Sequence, residues 1–207
     1  MIHFGPIDSK GGMSTVMISL LNNDIPGWNS GSVSTHSESS LVRKIMAWYF
    51  ARKELKRLIK QKEIDLAHFH VTHSISWWRK RDIMRICSNF GIPSIIHIHS
   101  GKFDSFCESF AGKSVKKELA ISSRKTVVLE KRWLKKLNRW IPENSEVIHN
   151  PCSISPRPRI KRPKKPIKFL MMSRNDEVKG HDIGIETVKI LRNRGISCEL
   201  TITGVDY

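Results

Sequence analysis

The chain has 207 residues, 39% of them hydrophobic, and a formal net charge of +17 from 36 Lys and Arg against 19 Asp and Glu. That apolar fraction belongs to a globular protein, long enough for one sizeable core or for one domain and part of a second. No apolar run approaches the roughly 20 residues of a membrane-spanning helix and no signal-peptide pattern opens the chain, so a cytoplasmic location is expected. The positive charge implies polyanionic partners, and charge alone does not choose among nucleic acid, an anionic membrane surface and a phosphorylated substrate. Cys87, Cys107, Cys152 and Cys198 form no C-x-x-C pair, which argues against a zinc ribbon and a disulfide scaffold.

The opening stretch, "HFGPIDSKGGMSTVMISLL", reads as a short strand, a Gly-Gly turn and a helix. A strand feeding a glycine-containing loop and a helix N-terminus suits an anion, because free backbone N–H groups and the helix dipole point the same way. The spacing is that of neither a dinucleotide fingerprint nor a P-loop, and Gly11 and Gly12 read equally as a tight turn. From Ser40 to Lys62, Leu41, Ile45, Trp48, Tyr49, Leu55, Leu58 and Ile59 fall near one helical stripe among Arg and Lys. This is an amphipathic basic helix, read first as a charged face over a buried stripe and second as a membrane-surface helix.

"IDLAHFHV" and "IPSIIHIHSG" then read as buried strands on either side of a helix, "SISWWRKRDIMRICSNFG", that ends at Gly91. Strand, helix and strand make a βαβ unit with parallel strands. "KTVVLE", "KRWLKKLNRWI" and "SEVIHNP" continue the alternation as strand, basic helix and strand, which specifies an open α/β sheet of Rossmann type. After Pro151, "PCSISPRPRIKRPKKPIK" is rich in proline and positive charge and reads as a linker. "KFLMMSR", "GHDIGIETVKILRNRG" and "ISCELTITG" begin a second βαβ unit, too short to bury an independent core.

The histidines are organised by the period-two rule, His68 with His70 on one strand face and His97 with His99 on another. As parallel neighbours, both pairs lie toward the carboxyl ends of their strands, where open α/β sheets bind ligands. No carboxylate or cysteine is spaced with them as a further ligand, so no metal is expected, and His68 and His97 read as core residues. His99, followed by Ser100 and Gly101, ends its strand in a loop and is suited to donate a hydrogen bond to a hydroxyl or phosphate. Arg174, just after a strand, and Lys179, just before a helix, read either as a clamp on a diphosphate leaving group or as a pair of surface cations.

Taken in order, "GPIDSKGGMSTV", "IDLAHFHV", "GIPSIIHIHSG", "VVLEKRWLKKL", "VIHNP" and "FLMMSRNDEVKGHDIGIETVKIL" resemble glycosyltransferase family 4, the group 1 glycosyltransferases. These are retaining enzymes of the GT-B architecture, with two Rossmann-like domains. The resemblance implies an acceptor-side Rossmann-like domain over residues 1–150, a basic Pro-rich linker over 151–166 and the start of a nucleotide-sugar domain over 167–207. It sets Gly11 and Gly12 beside the donor phosphates, His99 against the transferred sugar, and Arg174 and Lys179 on the donor pyrophosphate. His70, Ser100 and Gly101 line the cleft on the acceptor side, and Asn150 and Pro151 match the family's Asn-Pro before the linker.

The resemblance further implies a nucleotide-sugar donor, a glycan or lipid-linked acceptor, cell-envelope polysaccharide biosynthesis, and neither cofactor nor metal. Under it, "VRKIMAWYFARKELKR" docks on the inner face of the membrane. The family's second domain normally continues with two glutamates separated by seven residues, and none follow Tyr207. The expectation is therefore a fragment of impaired activity, or half of a split enzyme whose remainder is a separate chain. Two other readings stand beside it. One is a basic nucleic-acid-binding α/β protein with tryptophans that stack on bases, disfavoured because most of them fall within helices. The other is a non-catalytic remnant that binds an acceptor or membrane.

Overall fold

The computed structural model describes residues 1–9, 11–36, 40–151, 166–173 and 179–204. The chain divides into two units, Met1–Ser153 and Ile154–Tyr207, and the Pro-rich stretch with Cys152 lies outside the described residues.

The first unit is built from β1 (Ile2–Gly5), α1 (Gly12–Leu21), β2 (Gly31–Ser34), α2 (Leu41–Lys60), β3 (Ala67–Val71), α3 (Ile75–Asn89) and β4 (Ser94–Ile98). After these come α4 (Phe103–Phe106), a wide turn at Cys107–Ala111, α5 (Gly112–Ser122), β5 (Lys125–Val128), α6 (Lys131–Leu137) and β6 (Glu146–Val147). The strands form one six-stranded sheet in the order β2-β1-β3-β4-β5-β6, with every neighbouring pair parallel. A parallel sheet flanked by helices is the Rossmann-like α/β arrangement that the alternation of elements predicts. Gly91, with φ at +69°, turns the chain out of α3 in a conformation that a side chain would resist.

Register sorts the side chains onto two faces. Phe4 pairs with Phe69, Phe69 with Ile96, and Val71 with Ile98, so these point the same way from three adjacent strands. They join Ala51, Leu55 and Leu58 of α2, Trp77, Ile83 and Met84 of α3, and Val115 and Leu119 of α5 in one buried cluster. Glu118 of α5 is buried and accepts hydrogen bonds from Arg81 Nε at 3.1 Å, Arg85 Nε at 2.8 Å and Ser122 Oγ at 2.7 Å, which ties α3 to α5. The opposite face carries the histidines.

α2 departs from its sequence reading. Leu55 and Leu58 are buried and Trp48 and Ile59 pack against the core, but Leu41, Ile45 and Tyr49 do not join them. Leu41, Val42, Ile45, Met46, Tyr49 and Phe50 are all exposed. Apolar residues in the first half of this helix cover more of its circumference than one sheet can bury, and the surplus faces outward. Among the described residues no helix is long and apolar enough to cross a membrane.

The second unit is a single βαβ element: β7 (Ile167–Met172) and β8 (Cys198–Thr203) pair in parallel, joined by α7 (His181–Asn193). Met172 and Ile183 remain exposed, as a unit this small dictates.

Candidate functional site

The chain passes from β1 outward to β2 and then back across β1 to β3, so the connections reverse direction between β1 and β3. In an open α/β sheet the loops at such a switch point part and leave a crevice outside the carboxyl ends of the strands. Four strands deliver residues to that edge: the Gly11–Gly12 loop follows β1, Thr35 and His36 follow β2, His73 follows β3, and His99 and Ser100 follow β4.

Gly11 is extended, with φ at 165°, and neither it nor Gly12 lies in the left-handed region. A Cβ added at either meets nothing within 4 Å. Among the described residues nothing crowds the two glycines that precede and open α1. That ten-residue helix has no acidic residue in its first turn and no side-chain cap, so among the described residues no side chain is seen to claim its leading N–H groups.

On the sheet face opposite the phenylalanines, five imidazoles lie side by side. His3 pairs in register with His68, and His70 with His97. His99 extends the ladder beyond β4 by donating its backbone N–H to Val71 O at 2.8 Å. His3 Nδ1 lies 3.2 Å from His70 Nε2, and His70 Nδ1 lies 3.0 Å from His99 Nε2. The rings of His68 and His97 stack with centroids 5.5 Å apart and planes within 2°. Met17 of α1 lies over Gly5, and the Cβ of His70 borders the same space. His3, His68, His70 and His97 are buried, while His99 is half-buried.

Burial drives all five toward the neutral form. It lowers His3 to about 4, helped by the N-terminal ammonium, and His97 to about 4. His99 falls to about 3 through burial and then the charges of His97 and Lys80, and His68 and His70 are displaced in the same direction by burial and by their histidine neighbours. Lys80 of α3 is itself buried, donates to Ser76 Oγ at 2.9 Å, and is lowered to about 7 by burial and the charge of Arg79.

The structure brings His70, His99 and Ser100 together. Ser100 is occupied with its own loop: its hydroxyl lies 2.7 Å from His73 Nδ1 and accepts the Lys102 N–H at 3.2 Å. Gly101 is exposed, and a Cβ there would make only ordinary contact with Trp133, at 3.6 Å. Lys179 belongs to the second unit, exposed beside Gly180, the residue that caps α7 in the left-handed conformation. Arg174 lies outside the described residues. His3, Arg79 and Lys80 were not among the residues singled out from the sequence. "HF" in β1 repeats "HF" in β3, and aligning the two strands on that dipeptide would have found His3.

No family model matches this chain, and no curated protein does. The geometry of the carboxyl edge therefore carries the functional argument: an open helix N-terminus suited to an anion, and a half-buried neutral imidazole suited to a hydroxyl.

Because the folded values of these histidines lie below the ordinary 6.5, the unfolded chain binds more protons than the folded one as pH falls through that range. Stability should be fully present above pH 6.5 and decline from there toward about 4, where His3 and His97 also charge in the folded state. Urea unfolding midpoints measured across that window will check it, and a midpoint that stays flat from pH 6.5 to 4 would contradict the buried, neutral ladder.

Proposed function

We propose that the chain is a retaining, nucleotide-sugar-dependent glycosyltransferase of GT-B type, transferring a hexose to a glycan or lipid-linked acceptor of the cell envelope. The observation that carries this reading is that the Gly11–Gly12 loop and His99 both follow strands at the carboxyl edge of one parallel sheet, on either side of its switch point. The bare N-terminus of α1 is suited to donor phosphate, and His99 to a sugar hydroxyl. In a retaining transfer the bond from sugar to phosphate loosens, with positive charge growing at the anomeric carbon and negative charge on the departing diphosphate. The family resemblance assigns that second charge to Arg174 and Lys179, and His99 of the first unit is suited to orient the sugar.

The six tryptophans weigh against nucleic-acid stacking. Trp77 is fully buried, and Trp48, Trp78, Trp133 and Trp140 pack against the core, which leaves Trp28 as the exposed one.

Saturation-transfer NMR on the chain with UDP-, GDP- and ADP-sugars tests the reading, since it registers weak binding. One nucleotide sugar should receive saturation at both its sugar and its nucleotide protons, and Gly11→Val should reduce it. With a matched acceptor, His99→Ala should lower turnover about 100-fold, the scale of lost positioning. Absence of transfer to every sugar nucleotide, or full turnover by His99→Ala, would refute it.

The outward stripe on α2 favours a peripheral position on an anionic bilayer. Leu41, Ile45, Met46, Tyr49 and Phe50 supply apolar area for insertion, and Arg43, Lys44 and Lys53 lie on the same helix to meet lipid phosphates. Each basic residue near such a surface contributes about 1 kcal/mol, screened by salt. Vesicle flotation should show binding to anionic but not neutral lipid, lost in an Ile45→Ser, Met46→Ser, Phe50→Ser variant. Equal flotation of the variant and the parent would rule the stripe out.

A further inference from the structure

We propose that His3, His68 and His70 form a site for one divalent transition-metal ion of the zinc class, seated one hydrogen bond behind His99. The donor set comes from two adjacent strands: His3 of β1 is in register with His68 of β3, and His70 follows on the same face two residues on. One ring nitrogen from each of the three lies within 4.8 Å of the others. His3 Nδ1 and His70 Nε2 are 3.2 Å apart. Two nitrogens each bound about 2.0–2.1 Å from a tetrahedral ion stand about 3.3 Å apart, so that pair needs almost no adjustment. The sequence argument against a metal was the want of a further ligand beside the paired histidines, and His3 is that ligand.

The metal-free arrangement leaves a bond unmade. Among the described residues His68 Nε2 is buried with no hydrogen-bond partner. Such a group costs about 1–3 kcal/mol, and the neighbours that surround this ring are other imidazoles, which compete for the same few protons. A Lewis acid takes several neutral imidazole lone pairs at once. Three nitrogen donors without a carboxylate suit Zn2+, Co2+, Ni2+ or Cu2+, and exclude Mg2+ and Ca2+, which require oxygen. Three protein ligands leave a fourth position for water.

His70 also belongs to a second group, with His97 and His99. Its two nitrogens decide between them. An ion shared with His3 and His68 takes Nε2 and leaves Nδ1–H to donate to His99 Nε2 at 3.0 Å. That is the outer hydrogen bond a ligating histidine ordinarily makes, which fixes its tautomer and orientation. An ion shared with His97 and His99 would break it. The first group is also buried throughout, whereas His99 is half-buried at the edge of the sheet. Bound there, the ion would hold His70 and, through it, His99.

The test is metal binding by the whole chain, independent of sugar transfer. Protein stripped by a chelator and dialysed is titrated with Co2+, then Zn2+, by absorbance and calorimetry. One tight site per chain is expected, with an intense tetrahedral Co2+ spectrum that Zn2+ displaces and Mg2+ does not. His3→Ala, His68→Ala and His70→Ala should each abolish it, His97→Ala should keep it, and His99→Ala should weaken it about 10–100-fold. Weak binding at several sites that survives His70→Ala would overturn the proposal, as adventitious surface binding. So would loss in His97→Ala with retention in His3→Ala, which puts the ion in the other group. Should the ligand variants fail to fold, imidazole 15N spectra of the parent chain decide: Zn2+ must shift His3, His68 and His70, and unmoved resonances there overturn it.

Discussion

Parallel register between β1, β3 and β4 is the constraint on which the rest of the first unit depends. Because side chains alternate, setting His3 beside His68 also sets Phe4 beside Phe69, and one pairing decides both faces of the sheet. The phenylalanine face has apolar helices to bury it. The histidine face is covered in part by Met17 of α1, and for the rest the imidazoles pack on one another. A slip of one residue in β1 would exchange its two faces, sending His3 into the apolar core and Phe4 out of it.

The electrostatics follow from that packing. Five adjacent rings cannot all carry charge inside the protein, so the ladder is neutral and its hydrogen bonds run from ring to ring. His99, at the open end, is the member that reaches the sheet edge, and what it offers a ligand depends on the proton placed by His70 behind it. Glu118, held by Arg81 and Arg85, is the buried carboxylate that the α3–α5 contact requires, and α2 carries basic residues beside an apolar stripe that the sheet does not cover.

Much of this was legible in the sequence for physical reasons. β3 and β4 are buried on both faces and rich in apolar residues, and α3 ends at a glycine that its conformation requires. β2 escaped because "GSVS" is an edge strand with one apolar residue, and edge strands need little hydrophobic signal. α4 and α5 escaped because a non-helical residue, Ser109, interrupts their periodicity. The stripe on α2 was drawn as one face, yet Leu41 and Tyr49 turn outward while Leu55 turns in, since helical periodicity locates apolar residues without saying how much of them a neighbour can cover. At the site, His70 and His99 were recognisable by alternation within their own strands, whereas His3 depends on pairing between strands distant in sequence. A Cβ at Gly11 or Gly12 would meet nothing within 4 Å, and neither lies in the left-handed region.

The central claim is that one face of this sheet holds five neutral, mutually packed imidazoles ending at His99. Titration of the imidazole 15N resonances reports each ring's protonation directly. In chelator-stripped protein at pH ~5.5, a full unit below the ordinary histidine value, the rings of His3, His68, His70, His97 and His99 should remain neutral, with a proton shared across the His70–His99 contact. Ordinary titration of these rings near 6.5 in folded protein would mean that the ladder is solvated and separate, and would contradict the account.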